Sequence, residues 1–143
     1  MSTSNVLFVC HDNAVASILA EAYIARAGRG LWRAFSAGLE PAREFNPHVV
    51  DLLRARGLRT QRFAPRSLAS FTVSGAPRID LVVRIDPREE GFEQLPGLPP
   101  SDAWFGAPAV ASACDVKGCF DWIRRKADRL LLGGFAVPVR RFA

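Results

Sequence analysis

The segment Val6-Leu7-Phe8-Val9-Cys10-His11-Asp12-Asn13-Ala14-Val15-Ala16-Ser17 constrains the fold more than any other. Its apolar run is continuous rather than alternating, as in a strand buried on both faces of a parallel sheet. The run ends in a cysteine. A short polar turn follows, and a helix opens at Ser17. A turn between a buried strand and a helix N-terminus gathers backbone N–H groups around one point, which makes an anion cradle. Cys10 stands at its base, where the positive helix end and the loop amides are expected to lower its pKa and make it a nucleophile. The alternative is a small buried hydrophobe that ends a core strand.

The rest of the chain repeats this alternation. Apolar residues at helical spacing run from Ser17 to about Ala27, and Gly28 ends that helix. Trp32 to Ser36 reads as a second short strand, closed by Ala37-Gly38. Asn46-Pro47 starts a helix that stops at Gly57, with proline in the first turn. Ser67 to Phe71 reads as a helical turn, and Ile79 to Ile85 as a strand. The Pro- and Gly-rich residues 86–114 read as one long irregular segment, of the kind that is usually functional. Val116 to Leu132 forms the last helix, with Phe120, Ile123, Ala127, Leu130 and Leu131 on one face. Strand and helix in alternation imply a parallel α/β sheet covered on both faces, with ligands beyond the carboxyl ends of its strands.

With 143 residues the chain is expected to form a single domain, residues 1–143, with a core over about 5–132 and a tail at 133–143. No apolar run is long enough to span a bilayer. Met-Ser-Thr-Ser-Asn is not a basic region followed by an apolar run, so no signal peptide and a cytoplasmic location are expected. The net charge is +5, and Lys117 and Lys126 are the only lysines. A basic surface favours acidic partners and phosphates. The arginines are scattered and form no stripe interleaved with aromatics, which argues against nucleic-acid binding. Cys10, Cys114 and Cys119 do not make a disulfide framework or a zinc site. Cys114 and Cys119 read as ordinary thiols, the alternative being a redox pair.

The chain resembles the low-molecular-weight protein tyrosine phosphatases and their relatives, the thioredoxin-coupled arsenate reductases. Their opening motif is an apolar strand followed by C-x-G-N-x-x-R-S. Ser17-Ile18-Leu19-Ala20-Glu21-Ala22 resembles their S-x-x-A-E-A, and Phe35-Ser36-Ala37-Gly38 their F-S-A-G. Asn46-Pro47 with its helix ending at Gly57 resembles their N-P…G segment. Asp80 to Asp86 resembles D-L-V-x-x-M-D, and Asp102-Ala103-Trp104-Phe105-Gly106 resembles the D-P-W/Y-F/Y-G that carries the general acid. The resemblance implies a three-layer α/β/α fold around a central four-stranded parallel sheet.

It also implies roles. Cys10 would attack phosphorus, and Asp102 would protonate the leaving phenolate. Residues His11, Asp12, Asn13, Ala14, Val15, Ala16 and Ser17 would form the phosphate loop. Asn13 would hold it open with side-chain hydrogen bonds at positive φ. Ser17 would stabilise the thiolate, or simply cap the helix. Trp104 and Phe105 would flank an aromatic substrate, or clamp the long loop. Asp102 read alone fits a surface turn as well. The reaction needs no metal or organic cofactor, and the implied ligand is phosphate, a phosphorylated aromatic group or a phosphoprotein.

Two loop positions depart from the family pattern. Ala16 replaces the arginine that grips two phosphate oxygens and the transition-state charge. Asp12 replaces glycine, which sets a carboxylate against phosphate and raises the pKa of Cys10. His11, read as a surface residue, would offset part of that charge if protonated. Arg84 and Arg43 are the candidates to replace the missing cation. The expectation is a phosphatase-like protein with weak or no turnover that acts as an anion-binding or regulatory module. The alternative is an active phosphotyrosine hydrolase using Cys10 and Asp102. Arsenate reduction is not expected, because Asp86 follows the last strand where that branch places redox cysteines.

Overall fold

The computed structural model describes residues 3–58, 64–86 and 97–134. Residues 135–143 of the expected tail and residues 87–96 of the long segment lie outside these residues. Strands β1 (Ser4–Cys10), β2 (Trp32–Gly38), β3 (Leu81–Ile85) and β4 (Ser101–Trp104) form one parallel sheet in the order β2-β1-β3-β4. The α-helices are α1 (Ala16–Ala27), α2 (Pro47–Ala55) and α3 (Ala113–Leu131).

Alternation along the strands sorts their side chains into two cores. Val6, Phe8 and Cys10 of β1 and Leu81, Val83 and Ile85 of β3 pack with residues of all three α-helices. Leu7, Val9 and Val82 face the other way, against Phe71 and Ile79. A single 3-10 turn, Leu68–Phe71, caps that second face after Ser67 accepts the Ala69 N–H. Val6, Leu7, Phe8 and Val9 are fully buried, in keeping with a continuous apolar run in a central strand.

The fourth strand falls inside the stretch expected to be irregular. Its four residues carry neither an apolar run nor a clean alternation. Its register puts Trp104 beside Ile85, where the indole packs on Phe8 and Trp122 at centroid distances of 5.5 and 6.4 Å. The third strand begins at Leu81 rather than Ile79. The Asp80 carboxylate there accepts the Asn5 N–H at 2.7 Å. The last helix begins three residues before Val116, because Ser112 and Asp115 cap it reciprocally.

The strand order reverses at β1, whose neighbours β2 and β3 lie on opposite sides. The crevice beyond the carboxyl ends of β1 and β3 is therefore the place for a ligand site. Cys10 and Asp86 both stand there.

Candidate active site

The loop Cys10 to Ser17 wraps the N-terminus of α1, and three devices hold its shape. Asn13 takes a φ of +54°, a left-handed conformation that asparagine tolerates better than most residues. Its side chain is fully buried and works in both directions: Nδ2 donates to Ser17 Oγ at 2.8 Å, and Oδ1 accepts the Arg66 N–H at 2.8 Å. Gly38, at the end of β2, lets the loop lie against it. A Cβ there would meet Asn13 N and Asp12 C at 2.9 Å. The chain after β2 then lines up with the loop carbonyls: Glu40 N–H donates to His11 O, and Ala42 N–H to Asp12 O, both at 2.9 Å.

A chain of polar contacts converges on the thiol. Ser17 Oγ lies 2.9 Å from Cys10 Sγ. Since that oxygen already accepts from Asn13, its own proton is free to point at the sulfur. The thiol in turn donates to Asp12 Oδ1 at 3.9 Å, and the same oxygen accepts the Ala14 N–H at 3.1 Å. These contacts are compatible with a protonated Cys10. The Asp12 carboxylate, an anion supplied by the chain itself, occupies a loop amide.

The electrostatics run against the expected low pKa of Cys10. Burial pushes its thiol above the ordinary value; hydrogen bonds from Ser17 oppose this, and the charge of Asp12 reinforces it. Only 7% of Cys10 is exposed, and desolvation of the thiolate is the largest of these influences. Cys119 lines the same cavity from α3, and its thiol is pushed up to about 11, mainly by burial and then by Cys10.

The cavity over Cys10 encloses about 430 Å³. Cys10, His11, Asp12, Val15 and Ala16 form one side. Ile85, Asp86 and Cys119 form another. Ala107, Pro108, Ala109 and Val110 close it. No lysine or arginine lines it among the described residues. Two carboxylates do, Asp12 and Asp86. Asp86 is held at a φ of +54° and accepts the Gly106 N–H at 3.4 Å.

Several residues singled out from the sequence are placed elsewhere. Asp102 lies within β4, level with Val83 and one side-chain row below Trp104, and its Oδ1 accepts its neighbour Ala103 N–H. The segment that reaches the cavity comes after the strand, at Ala107–Val110, and carries no acid. Trp104 is a buried core residue and Phe105 is 62% exposed; neither lines the cavity. Arg84 alternates with Ile85, so it projects from the opposite sheet face, with its Nε buried and unbonded among the described residues. Arg43 lines a separate pocket with Glu44 and Asp51. His11 Nε2 sits 3.4 Å from Glu40 at the surface. Asp86 and Cys119 are the cavity residues with ionisable side chains that sequence reasoning gave no place in the site. Cys119 shares a helical stripe with Val116, Phe120 and Ile123, which is the signal that would have found it.

Residues 5–96 match the family model "Low molecular weight phosphotyrosine protein phosphatase", and the chain belongs to that family. Among solved structures it is similar to an arsenate reductase from Archaeoglobus fulgidus, at 28% identity and a TM-score of 0.67, covering 88% of this chain and 98% of that one. It is also similar to the thioredoxin-dependent arsenate reductase Cg_ArsC1' of Corynebacterium glutamicum, at 23% identity and a TM-score of 0.67. That match covers 92% of this chain but spans only 63% of the Corynebacterium chain. The tyrosine phosphatase amsI of Erwinia amylovora shares the fold, at 14% identity and a TM-score of 0.70, with 95% of each chain covered. None of the curated proteins is significantly similar to this chain. No helix among the described residues is long and apolar enough to cross a membrane.

Proposed function

We propose that this protein is a phosphatase-fold binding module without appreciable phosphomonoester hydrolysis. The observation that carries the reading is the composition of the cavity over Cys10: two carboxylates, a buried thiol and, among the described residues, no guanidinium. Phosphoryl transfer to a thiolate requires three things: an ionised nucleophile, a cation for the equatorial oxygens and an acid for the leaving group. In this reading Ala16 removes the cation and Asp12 opposes the dianion. The ligand class is phosphate or a phosphorylated aromatic group, bound weakly at the free amides that open α1, with Asp12 competing for the Ala14 N–H. Asp12 acts as a positioning residue that, together with burial, favours the protonated thiol against the hydrogen bonds from Ser17. A cytoplasmic location fits the three free thiols, which persist in a reducing compartment.

One observation favours a second reading, a slow phosphotyrosine hydrolase. The Asn13–Ser17–Cys10 hydrogen bonds are those a thiolate would need. In that reading Cys10 is the nucleophile. The acid is Asp86 at the cavity wall, or Asp102 after a rearrangement of β4. The experiment is para-nitrophenyl phosphate hydrolysis from pH 5 to 8, with Cys10→Ser alongside. The binding-module reading expects equal, background rates. Turnover lost in Cys10→Ser would overturn it in favour of the hydrolase.

A further inference from the structure

The cation absent from the loop has counterparts elsewhere. A second cavity, of about 330 Å³, opens between α1, the C-terminal end of α2 and α3. Arg26, Arg56 and Arg124 line it together with Tyr23, Leu58 and Phe120. It shares no residue with the cavity over Cys10.

Its arginines are ordered by their surroundings. The Arg56 and Arg124 guanidinium carbons lie 5.4 and 5.8 Å from the centroid of the Phe120 ring. Arg124 is also 5.9 Å from the Tyr23 ring. Tyr23 and Phe120 meet edge to face at 6.0 Å, which makes one aromatic wall. Arg26 Nη1 donates to the Arg56 and Gly57 carbonyls at 3.3 Å, at the negative end of α2. A guanidinium near an aromatic face keeps its N–H edge available for an oxyanion.

The neighbouring acids leave this cluster positive. Asp121 lies 3.8 Å from Arg124 Nη1, and Asp128 accepts the Tyr23 hydroxyl. Neither lines the cavity. Arg56 makes no ion pair among the described residues. Two guanidinium groups over two rings and a third lining the same cavity, with Leu58 and Ala27 adding apolar surface, suit a ligand with a flat apolar body and a compact anionic head.

We propose that this cavity is a second ligand site, and that it takes an aromatic phosphomonoester: the ring lies along Tyr23, Phe120 and Leu58, and the phosphate is held by Arg56 and Arg124 with Arg26 at its edge. The site binds and performs no chemistry. Its ligand is independent of whether Cys10 turns over.

Phenyl phosphate titrated into the ¹⁵N-labelled full chain tests this, with inorganic phosphate and phenol as the two half-ligands. Phenyl phosphate should shift the amides of Arg56, Leu58, Phe120 and Arg124 and bind more tightly than either half. Arg56→Gln should weaken it about tenfold or more, the loss expected for a hydrogen bond to a charged group. Arg56→Lys should recover only part. Both variants should keep the parent circular dichroism spectrum, since Arg56 is exposed beyond the end of α2. Shifts confined to Asn13–Ser17 would overturn the second site while supporting a ligand at the loop. No shifts, or equal binding by inorganic phosphate alone, would overturn the aromatic phosphomonoester assignment.

Discussion

At the scale of single residues, charge and proton position decide what this site can do. Asp12 acts on Cys10 twice, by accepting its thiol proton and by its charge. Asp12→Asn should therefore lower the pKa of Cys10. Iodoacetamide alkylation of Cys10 at pH 8, followed by mass spectrometry, should be faster in the variant than in the parent; equal rates would remove Asp12 from the account. Glu21 is a buried acid. Ser36 donates to it, and burial lifts its pKa from 4.5 to about 7 despite Ser36 and Arg66. Below pH 4.5 it is protonated in both the native and the unfolded chain, and its contribution to stability is complete. Between pH 4.5 and 7 the unfolded chain ionises first, so stability falls as pH rises, by about 3 kcal/mol in all. Above pH 7 the loss is constant. Glu21→Gln should flatten this slope in urea titrations at pH 5, 6 and 7. An unchanged slope would show that Glu21 is ionised in the folded protein.

At the scale of elements, what was readable follows from how each element is stabilised. The first and third strands announce themselves by continuous apolar runs, because both of their faces are buried. The second helix is marked at both ends, by Asn46 accepting the His48 N–H and by Gly57 at a φ of +70°. The fourth strand was not readable. Ser101-Asp102-Ala103-Trp104 is an edge strand held by its neighbour, with Trp104 as its only fully core residue. That single miss also displaced Asp102 and Trp104 from the site, since strand register rather than motif order sets their level relative to Cys10. The loop motif was legible because local backbone needs dictate it: a left-handed Asn13, a close approach at Gly38, a hydroxyl at Ser17. Side-chain convergence from distant elements, as with Cys119, left only a helical stripe to find. The close approach gives its own prediction. Gly38→Ala should destabilise the protein by roughly 1–3 kcal/mol, because backbone of the loop must move to admit the methyl group. A urea midpoint shift measures this; no shift would mean the loop yields freely.

At the scale of the whole molecule, the fold brings two unlike cavities into one small chain. The one at the switch point of the sheet keeps the cysteine, has Ala16 in its loop and is lined by two acids, Asp12 and Asp86. The one between the helices carries three arginines on an aromatic wall. A net charge of +5 therefore does not make the Cys10 cavity cationic. In the proposed reading, Asp12 and Ala16 deprive the loop of turnover while the scaffold around it is intact. Para-nitrophenyl phosphate hydrolysis by Asp12→Gly/Ala16→Arg beside the parent chain tests this most directly. The account predicts a gain of about a hundredfold or more, lost again when Cys10→Ser is added. A parent chain that already matches the double variant through Cys10, or a double variant with no gain, would contradict it.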